Sequence, residues 1–137
     1  MGIPKYRLPR EVLDTEVQRL IRMGVEIRTN TPVISLDLLF KMGYKAVFIT
    51  VGAHQGLRLG IEGEESPGVV DGATFLREIN LGLKPPIGKR VAVVGGGNVA
   101  IDAARTALRL GAREVKIFYR RSRDEMPADA TEVEQAM

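Results

Sequence analysis

The chain has 137 residues, 45% of them hydrophobic and 27% charged, which is typical of a globular domain with a buried core. It has no cysteine and a single histidine, His54, which excludes disulfides, cysteine-bound iron–sulfur clusters and histidine metal clusters formed by this chain. The formal net charge of +3 suits an anionic small ligand and is too weak a signal for nucleic acid.

Apolar residues occur in short runs along the whole chain. No run approaches the roughly 18 residues of a membrane-spanning helix. The N-terminal stretch, MGIPKYRLPR, lacks the apolar core of a secretory signal. We therefore expect a cytoplasmic protein without membrane contact.

Helix and strand patterns alternate in the first part of the chain. A helix that ends at Gly24 is predicted by the amphipathic stretch LPREVLDTEVQRLIRMG. A short strand over residues 25–30 and a second helix over residues 36–42 follow. The nearly continuous apolar run YKAVFITVGA predicts a strand over residues 44–53 that is covered on both faces.

The middle of the chain connects two parts of different composition. A long irregular connection is predicted by HQGLRLGIEGEESPGVVDG, which is rich in turn-forming residues, and a short helix by ATFLREINLG. The stiff stretch LKPPIGK then marks a change in composition. We predict a domain boundary there, between residues 1–82 and residues 83–137.

The last part has a strand–helix–strand pattern. A strand is predicted by RVAVVG, a helix over residues 98–110 that ends at Gly111, and a second strand by EVKIFYRR. The start of a further helix is predicted near Asp129. The chain as a whole is predicted to be α/β, with parallel strands joined by helices.

The turn between the first of these strands and its helix contains a G-x-G-x-x-A motif, at Gly95, Gly97 and Ala100. Gly95 allows a sharp turn, Gly97 lets a pyrophosphate approach the backbone, and Ala100 keeps the helix close to the sheet. Unpaired N–H groups at the start of the helix attract phosphate, and Asn98 is a good capping residue there.

The context of the motif favours nucleotide binding over a purely structural turn. A strand precedes it, and a helix and a second strand follow it. One face of the helix also carries small residues suited to close packing on a sheet, namely Val99, Ala103, Ala104 and Ala107.

Two arginines stand where many dinucleotide-binding proteins have an acidic residue. That position lies roughly 20 residues after the glycines, and here it is occupied by Tyr119, Arg120 and Arg121. Guanidinium groups can bind a 2′-phosphate, which a carboxylate would repel, so the arginines favour NADPH over NADH. A solvated basic strand end is the alternative. A nucleic-acid surface that includes Arg123 is less favoured, because no aromatic stacking residues accompany it.

Four stretches extend the similarity beyond a glycine motif. In order, GIPKYRLPREVLDTEV, AVFITVGAHQGLRLGIEGE, VVGGGNVAIDAAR and YRRSRDEMPA resemble the small (beta) subunit family of NADPH-dependent glutamate synthase and related flavin-linked reductases. The resemblance covers essentially the whole chain. It implies two Rossmann-like domains, one for FAD and one for NADPH. Hydride would pass from NADPH to FAD, and electrons would leave through iron–sulfur clusters.

The resemblance also implies which residues contact each cofactor. Residues 1–82 would be part of the FAD domain, and residues 83–137 the first part of the NADPH domain. Arg120 and Arg121 would hold the 2′-phosphate. The pyrophosphate of NADPH would be held by Gly95, Gly96, Gly97, Asn98, Val99 and Ala100. The bound flavin nucleotide would lie close to Thr50, Gly52 and Ala53. No residue is assigned a catalytic or metal-binding role.

The family has further parts that this sequence lacks. The FAD glycine motif and the cluster-binding cysteines lie upstream of GIP, and the rest of the NADPH domain follows EVEQAM. We therefore expect an internal piece of a longer reductase, without bound flavin or turnover of its own. Its expected partners are NADP(H), the missing portions of the parent or a large catalytic subunit, and a second copy through open sheet edges. The alternatives are a standalone nucleotide-binding module and an assembly fragment.

Overall fold

The computed structural model describes residues 2–136. In chain order its elements are α1 (Arg10–Arg22), α2 (Leu36–Lys41), α3 (Gly72–Asn80), β1 (Arg90–Val94), α4 (Asn98–Arg109), β2 (Glu114–Phe118), a 3₁₀ turn (Arg123–Glu125) and α5 (Ala130–Gln135). They form two compact units, one of residues 9–53 and one of residues 2–8 and 54–136. No helix in this described range is long and apolar enough to cross a bilayer.

The unit of residues 9–53 contains the two helices predicted there. α1 ends at Arg22, and Gly24, two residues later, adopts a φ of 93°. This left-handed conformation costs glycine little and closes the helix, as the sequence predicts. α2 follows within one residue of its predicted range.

The two strands predicted in this unit are not formed. Within the described residues, neither residues 25–30 nor residues 44–53 pair with another strand. Most of their apolar side chains stay exposed, and Phe48 is 91% accessible. A strand needs a neighbour to satisfy its backbone hydrogen bonds, and the described residues supply none. The apolar pattern identified surface suited to burial, but the prediction of formed strands is wrong.

The second unit is built on β1, α4 and β2. The two strands are parallel, with Arg90 opposite Glu114 and Val94 opposite Phe118. They are joined by α4, which is the connection that parallel strands require. The predicted α/β class, with a strand–helix–strand unit in the last part of the chain, is therefore confirmed.

Most of α4 is buried. Its buried apolar residues are Ala100, Ile101, Ala103, Ala104 and Ala107. Val99, predicted to pack with the small residues on the sheet, is instead 49% exposed. Val99 lies beside Gly72, the first residue of α3: a β-carbon placed on Gly72 would be 3.1 Å from Val99 Cγ1. The close contact at Val99 is thus between two helices.

Two further segments cover α4. The predicted helix near Asp129 is confirmed as α5, and the Asp129 carboxylate accepts the N–H groups of Thr131 and Glu132. Val133 of α5 packs in one cluster with Ile101. The other covering segment is residues 2–8, described below.

The two compact units are defined by packing contacts within the chain. The predicted boundary after residue 82 is a different division, between an FAD domain and an NADPH domain. Residues 81–89 contain neither helix nor strand, as expected of a connection. The unit that contains the glycine motif also includes residues 2–8 and 54–80. The cofactor-domain boundary stays a prediction.

Candidate functional site

The glycine turn and the arginines meet at one edge of the sheet. β1 ends at Val94 directly opposite the last residue of β2, Phe118. The Gly95 N–H then donates to the Phe118 carbonyl at 2.9 Å. Both segments therefore leave the sheet at its carboxyl edge, where open parallel sheets bind their ligands.

Gly95 turns the chain sharply at the end of β1. Its φ is 140°, which side-chain-bearing residues rarely adopt, and a β-carbon there would lie 3.3 Å from Ala100 Cβ. Its conformation thus favours glycine, and the space beside Ala100 is tight for a side chain. Ala100 is buried, as the motif predicts for a helix close to the sheet.

Gly97 presents an open surface at the start of α4. It occupies the N-cap position with an ordinary φ of −89°, and a β-carbon there would meet nothing within 4 Å. Within the described part of the chain, the N–H groups of Gly97, Asn98 and Val99 donate to no other group. The open space beside these N–H groups fits an anionic ligand at the helix start.

Asn98 does not cap the helix, so that part of the prediction is wrong. It is the first residue of α4, and its Oδ1 accepts the Asp129 N–H at 2.9 Å. Beside it, the Gly96 carbonyl accepts the Ala128 N–H at 3.1 Å. The segment before α5 is thus attached to the glycine turn. Sequence reasoning missed this contact because its partners lie 31 residues apart.

Tyr119 packs directly on Gly96. A β-carbon at Gly96 would lie 2.6 Å from Tyr119 Cδ2, so only glycine allows the ring this close. The Tyr119 hydroxyl donates to the Glu125 carbonyl at 3.1 Å. The sequence signal for this role is an aromatic residue directly after β2, beside the two arginines.

Arg120 and Arg121 lie in the loop after β2. The strand was predicted to include them, but it ends at Phe118 because β1 offers no partner beyond Val94. Both side chains are exposed, and neither forms an ion pair with any described residue. They are therefore available to an anion at this edge.

The turn after the arginines is closed by its own hydrogen bonds. The Ser122 N–H and hydroxyl both donate to Glu125 Oε2, at 3.1 and 2.8 Å. The hydroxyl, followed by the N–H, lowers the pKa of the Glu125 carboxyl. Near neutral pH Glu125 is thus a carboxylate engaged with Ser122.

The residues expected near flavin belong to the other compact unit. Thr50, Gly52 and Ala53 belong to the unit of residues 9–53, in a segment without helix or strand, and all three are exposed. Their contact with flavin remains an expectation.

The parallel strand pair, its glycine turn and the open helix start have the arrangement of a Rossmann-like strand–helix–strand unit. Residues 5–137 match the pyridine nucleotide-disulphide oxidoreductase family, and the chain belongs to that family.

The chain is also similar to individual curated proteins. The chain is 52% identical to the NADP(+)-dependent formate dehydrogenase subunit beta of Moorella thermoacetica, over 99% of this chain and 20% of that protein. It is 47% identical to the NADPH-Fe(3+) oxidoreductase subunit beta of Geobacter sulfurreducens (strain DL-1 / KN400), over 99% of this chain and 21% of that protein. It is 38% identical to the glutamate synthase [NADPH] small chain of Escherichia coli (strain K12), over 98% and 31%.

These similarities confirm the resemblance to the glutamate synthase small-subunit family and its relatives. The chain spans 20–31% of the length of these three relatives. Activities and partners of a whole reductase are therefore matters of proposal for this chain.

Proposed function

We propose that this chain holds the adenosine half of NADPH in a longer flavin-dependent oxidoreductase. The observation that carries the proposal is the meeting of two anion-binding features at one sheet edge. One is the open start of α4 at Gly97, and the other is the pair Arg120 and Arg121 without ion-pair partners among the described residues.

Each feature suits a different phosphate of the cofactor. The free N–H groups at Gly97, Asn98 and Val99, with the partial positive charge of the helix start, suit the pyrophosphate. The two guanidinium groups suit the 2′-phosphate, because each can donate two parallel hydrogen bonds to it. Gly95 and Ala100 hold the helix where these donors are presented.

The chemistry of the parent follows from the cofactors. When bound, NADPH supplies a hydride to FAD, and the protein's part is to bind and orient both. Without cysteine, this chain would leave any iron–sulfur clusters to the parent or a partner subunit. The exposed apolar side chains of residues 44–53 favour packing against further parts of the parent or a large subunit. A standalone module without turnover is the second reading of the same site.

A titration tests the binding proposal. Isothermal calorimetry with 2′-phospho-ADP-ribose and with ADP-ribose separates the contribution of the 2′-phosphate from that of the pyrophosphate. We expect the phosphorylated ligand to bind at least about tenfold more tightly, as two charge-assisted contacts predict. Equal affinities would contradict the assignment of the arginines, and no binding of either ligand would contradict the site.

A further inference from the structure

Residues 2–8 lie against α4, on which the proposed dinucleotide site is built. Tyr6 and Arg7 make the polar contacts. The Arg7 Nη1 donates to Asp102 Oδ2 at 2.8 Å. The Tyr6 hydroxyl makes long contacts of 3.4 Å with the Asp102 backbone oxygen and Oδ1. We call Tyr6, Arg7 and Asp102 the α4 clamp.

Within the clamp, Asp102 is the residue that needs a neighbouring cation. It is only 4% exposed and lies four residues after Asn98, one turn from the helix start. A buried carboxylate without a cation is costly, and its charge opposes an anion bound nearby. Arg7 is the only side chain in the described residues that forms an ion pair with Asp102.

The clamp is part of a larger charged cluster. Glu132 of α5 forms ion pairs with both Arg7 and Arg105. The guanidinium groups of Arg105 and Arg109 lie over the Tyr6 ring, 4.6 and 4.0 Å from its centre. Three arginines thus face two carboxylates: Arg7 pairs with Asp102, Arg105 pairs with Glu132, and Arg109 forms no ion pair within the described residues.

We propose that Arg7 is a positioning residue for the dinucleotide, which neutralises Asp102 so that the start of α4 presents an unopposed positive field to phosphate. The inference rests on the proposed function. It gives a part in the proposed dinucleotide site to Arg7, which lies 95 residues before Asp102 in the sequence.

The test is a double-mutant cycle read out by ligand affinity. We expect Arg7→Met to weaken binding of 2′-phospho-ADP-ribose about tenfold, as the loss of one nearby compensating charge predicts. Arg7→Lys keeps the charge and should stay within about threefold of the parent. Lys5→Met removes an exposed positive charge from the same segment and serves as the matched control, with less than about a twofold effect.

The Asp102→Asn background separates the electrostatic role from a structural one. Asparagine keeps the shape and still accepts hydrogen bonds, so Arg7→Met should change affinity by less than about twofold in this background. Thermal unfolding followed by circular dichroism identifies a temperature at which every variant is folded. If Arg7→Met does not fold at all, Arg7→Lys is compared in the two backgrounds, where its smaller loss should likewise disappear.

The outcomes separate the two proposals. Binding by Arg7→Met that equals the parent would overturn the role of Arg7 and leave the proposed function standing. An equal loss in both backgrounds would show that Arg7 does not act through Asp102, and would also overturn it. Failure of the unmodified chain to bind would contradict the proposed function, and this inference with it.

Discussion

The three consecutive glycines of the turn are needed for different reasons. Gly95 needs its positive φ, Gly96 faces the Tyr119 ring, and Gly97 faces open space. A substitution at each therefore has a different consequence, although the sequence shows only a run of glycines.

Gly97→Val should abolish dinucleotide binding and leave the fold intact. The backbone there is ordinary, and the new side chain occupies the space proposed for pyrophosphate. Valine is a poorer N-cap than glycine, so we expect a stability loss of no more than about 1 kcal/mol. Calorimetry and urea unfolding measure the two effects. A folded variant that binds as well as the parent would refute the phosphate position.

Gly96→Ala should do the opposite. Its methyl group would meet the Tyr119 ring at 2.6 Å, and overpacking of this kind costs about 1–3 kcal/mol of unfolding free energy. Urea unfolding measures that loss. In a Tyr119→Ala background the ring is gone, so the same substitution should cost much less. An equal cost in both backgrounds would show that Tyr119 is not what excludes a side chain.

Arg120→Asp should remove most of the preference for the 2′-phosphate. A charge-assisted hydrogen bond contributes about 1.5–3 kcal/mol, so the affinity ratio of the two ligands should fall about tenfold or more. Arg113→Asp is the matched control, since Arg113 is exposed and precedes β2 at the other edge of the sheet. If both variants lower the affinity ratio equally, the preference comes from the overall positive charge of the chain and not from a contact of Arg120 with the 2′-phosphate.

At the level of the elements, α4 depends on its cover as well as on its sequence. Burial, reinforced by the negative charge of Asp102, raises the pKa of the Tyr6 phenol above its usual 10.0. The folded chain therefore retains this proton at pH values where the unfolded chain has lost it. The stability that this bound proton contributes to the folded chain is fully present below about pH 10. It is lost as the pH rises through the higher folded-state pKa of Tyr6.

Tyr6→Phe tests that contribution, because it keeps the ring and removes the titrating hydroxyl. Between about pH 9 and pH 11, the unfolding free energy of the parent should fall more steeply than that of the variant. Urea unfolding at several pH values measures both slopes. Parallel slopes would mean that Tyr6 does not contribute through its proton.

The elements that the sequence predicted correctly are those determined by local patterns. The helices follow from apolar spacing and end signals such as Gly24, and the turn at Gly95 follows from the glycine motif. The predicted strands at residues 25–30 and 44–53 failed because a strand depends on a neighbour that no local pattern supplies.

At the candidate site, the glycines and arginines were predictable, and the contacts that support them were not. Asn98 bonds to Asp129, Gly96 packs on Tyr119, and Asp102 pairs with Arg7. Each partner is distant in sequence, so only the tertiary structure identifies it. Residue type indicated the chemistry that we propose for the site, and only the packing showed which residues support it.

For the whole molecule, we predict that the 137-residue polypeptide does not reduce a dye with NADPH, even when FAD is added. Hydride transfer requires both rings to be held in contact, and the segment expected near flavin is exposed and unpaired within the described residues. Leu57 and Phe48, 98% and 91% exposed, also favour association into dimers or larger species. Absorption spectra, dye assays and analytical ultracentrifugation test these points. A yellow monomer with sustained NADPH oxidation would contradict both.

The contact of residues 2–8 with α4 has a consequence for protein engineering. A chimaera that transplants residues 83–137 into a reductase, to test whether they change its coenzyme choice, would carry Asp102 and leave Arg7 behind. The recipient would then hold a buried carboxylate beside the N–H groups proposed to bind phosphate, with a foreign surface in place of Tyr6. A transplant of the proposed coenzyme site from this chain should therefore be assembled from two separate pieces, with residues 2–8 grafted alongside the helix that they cover.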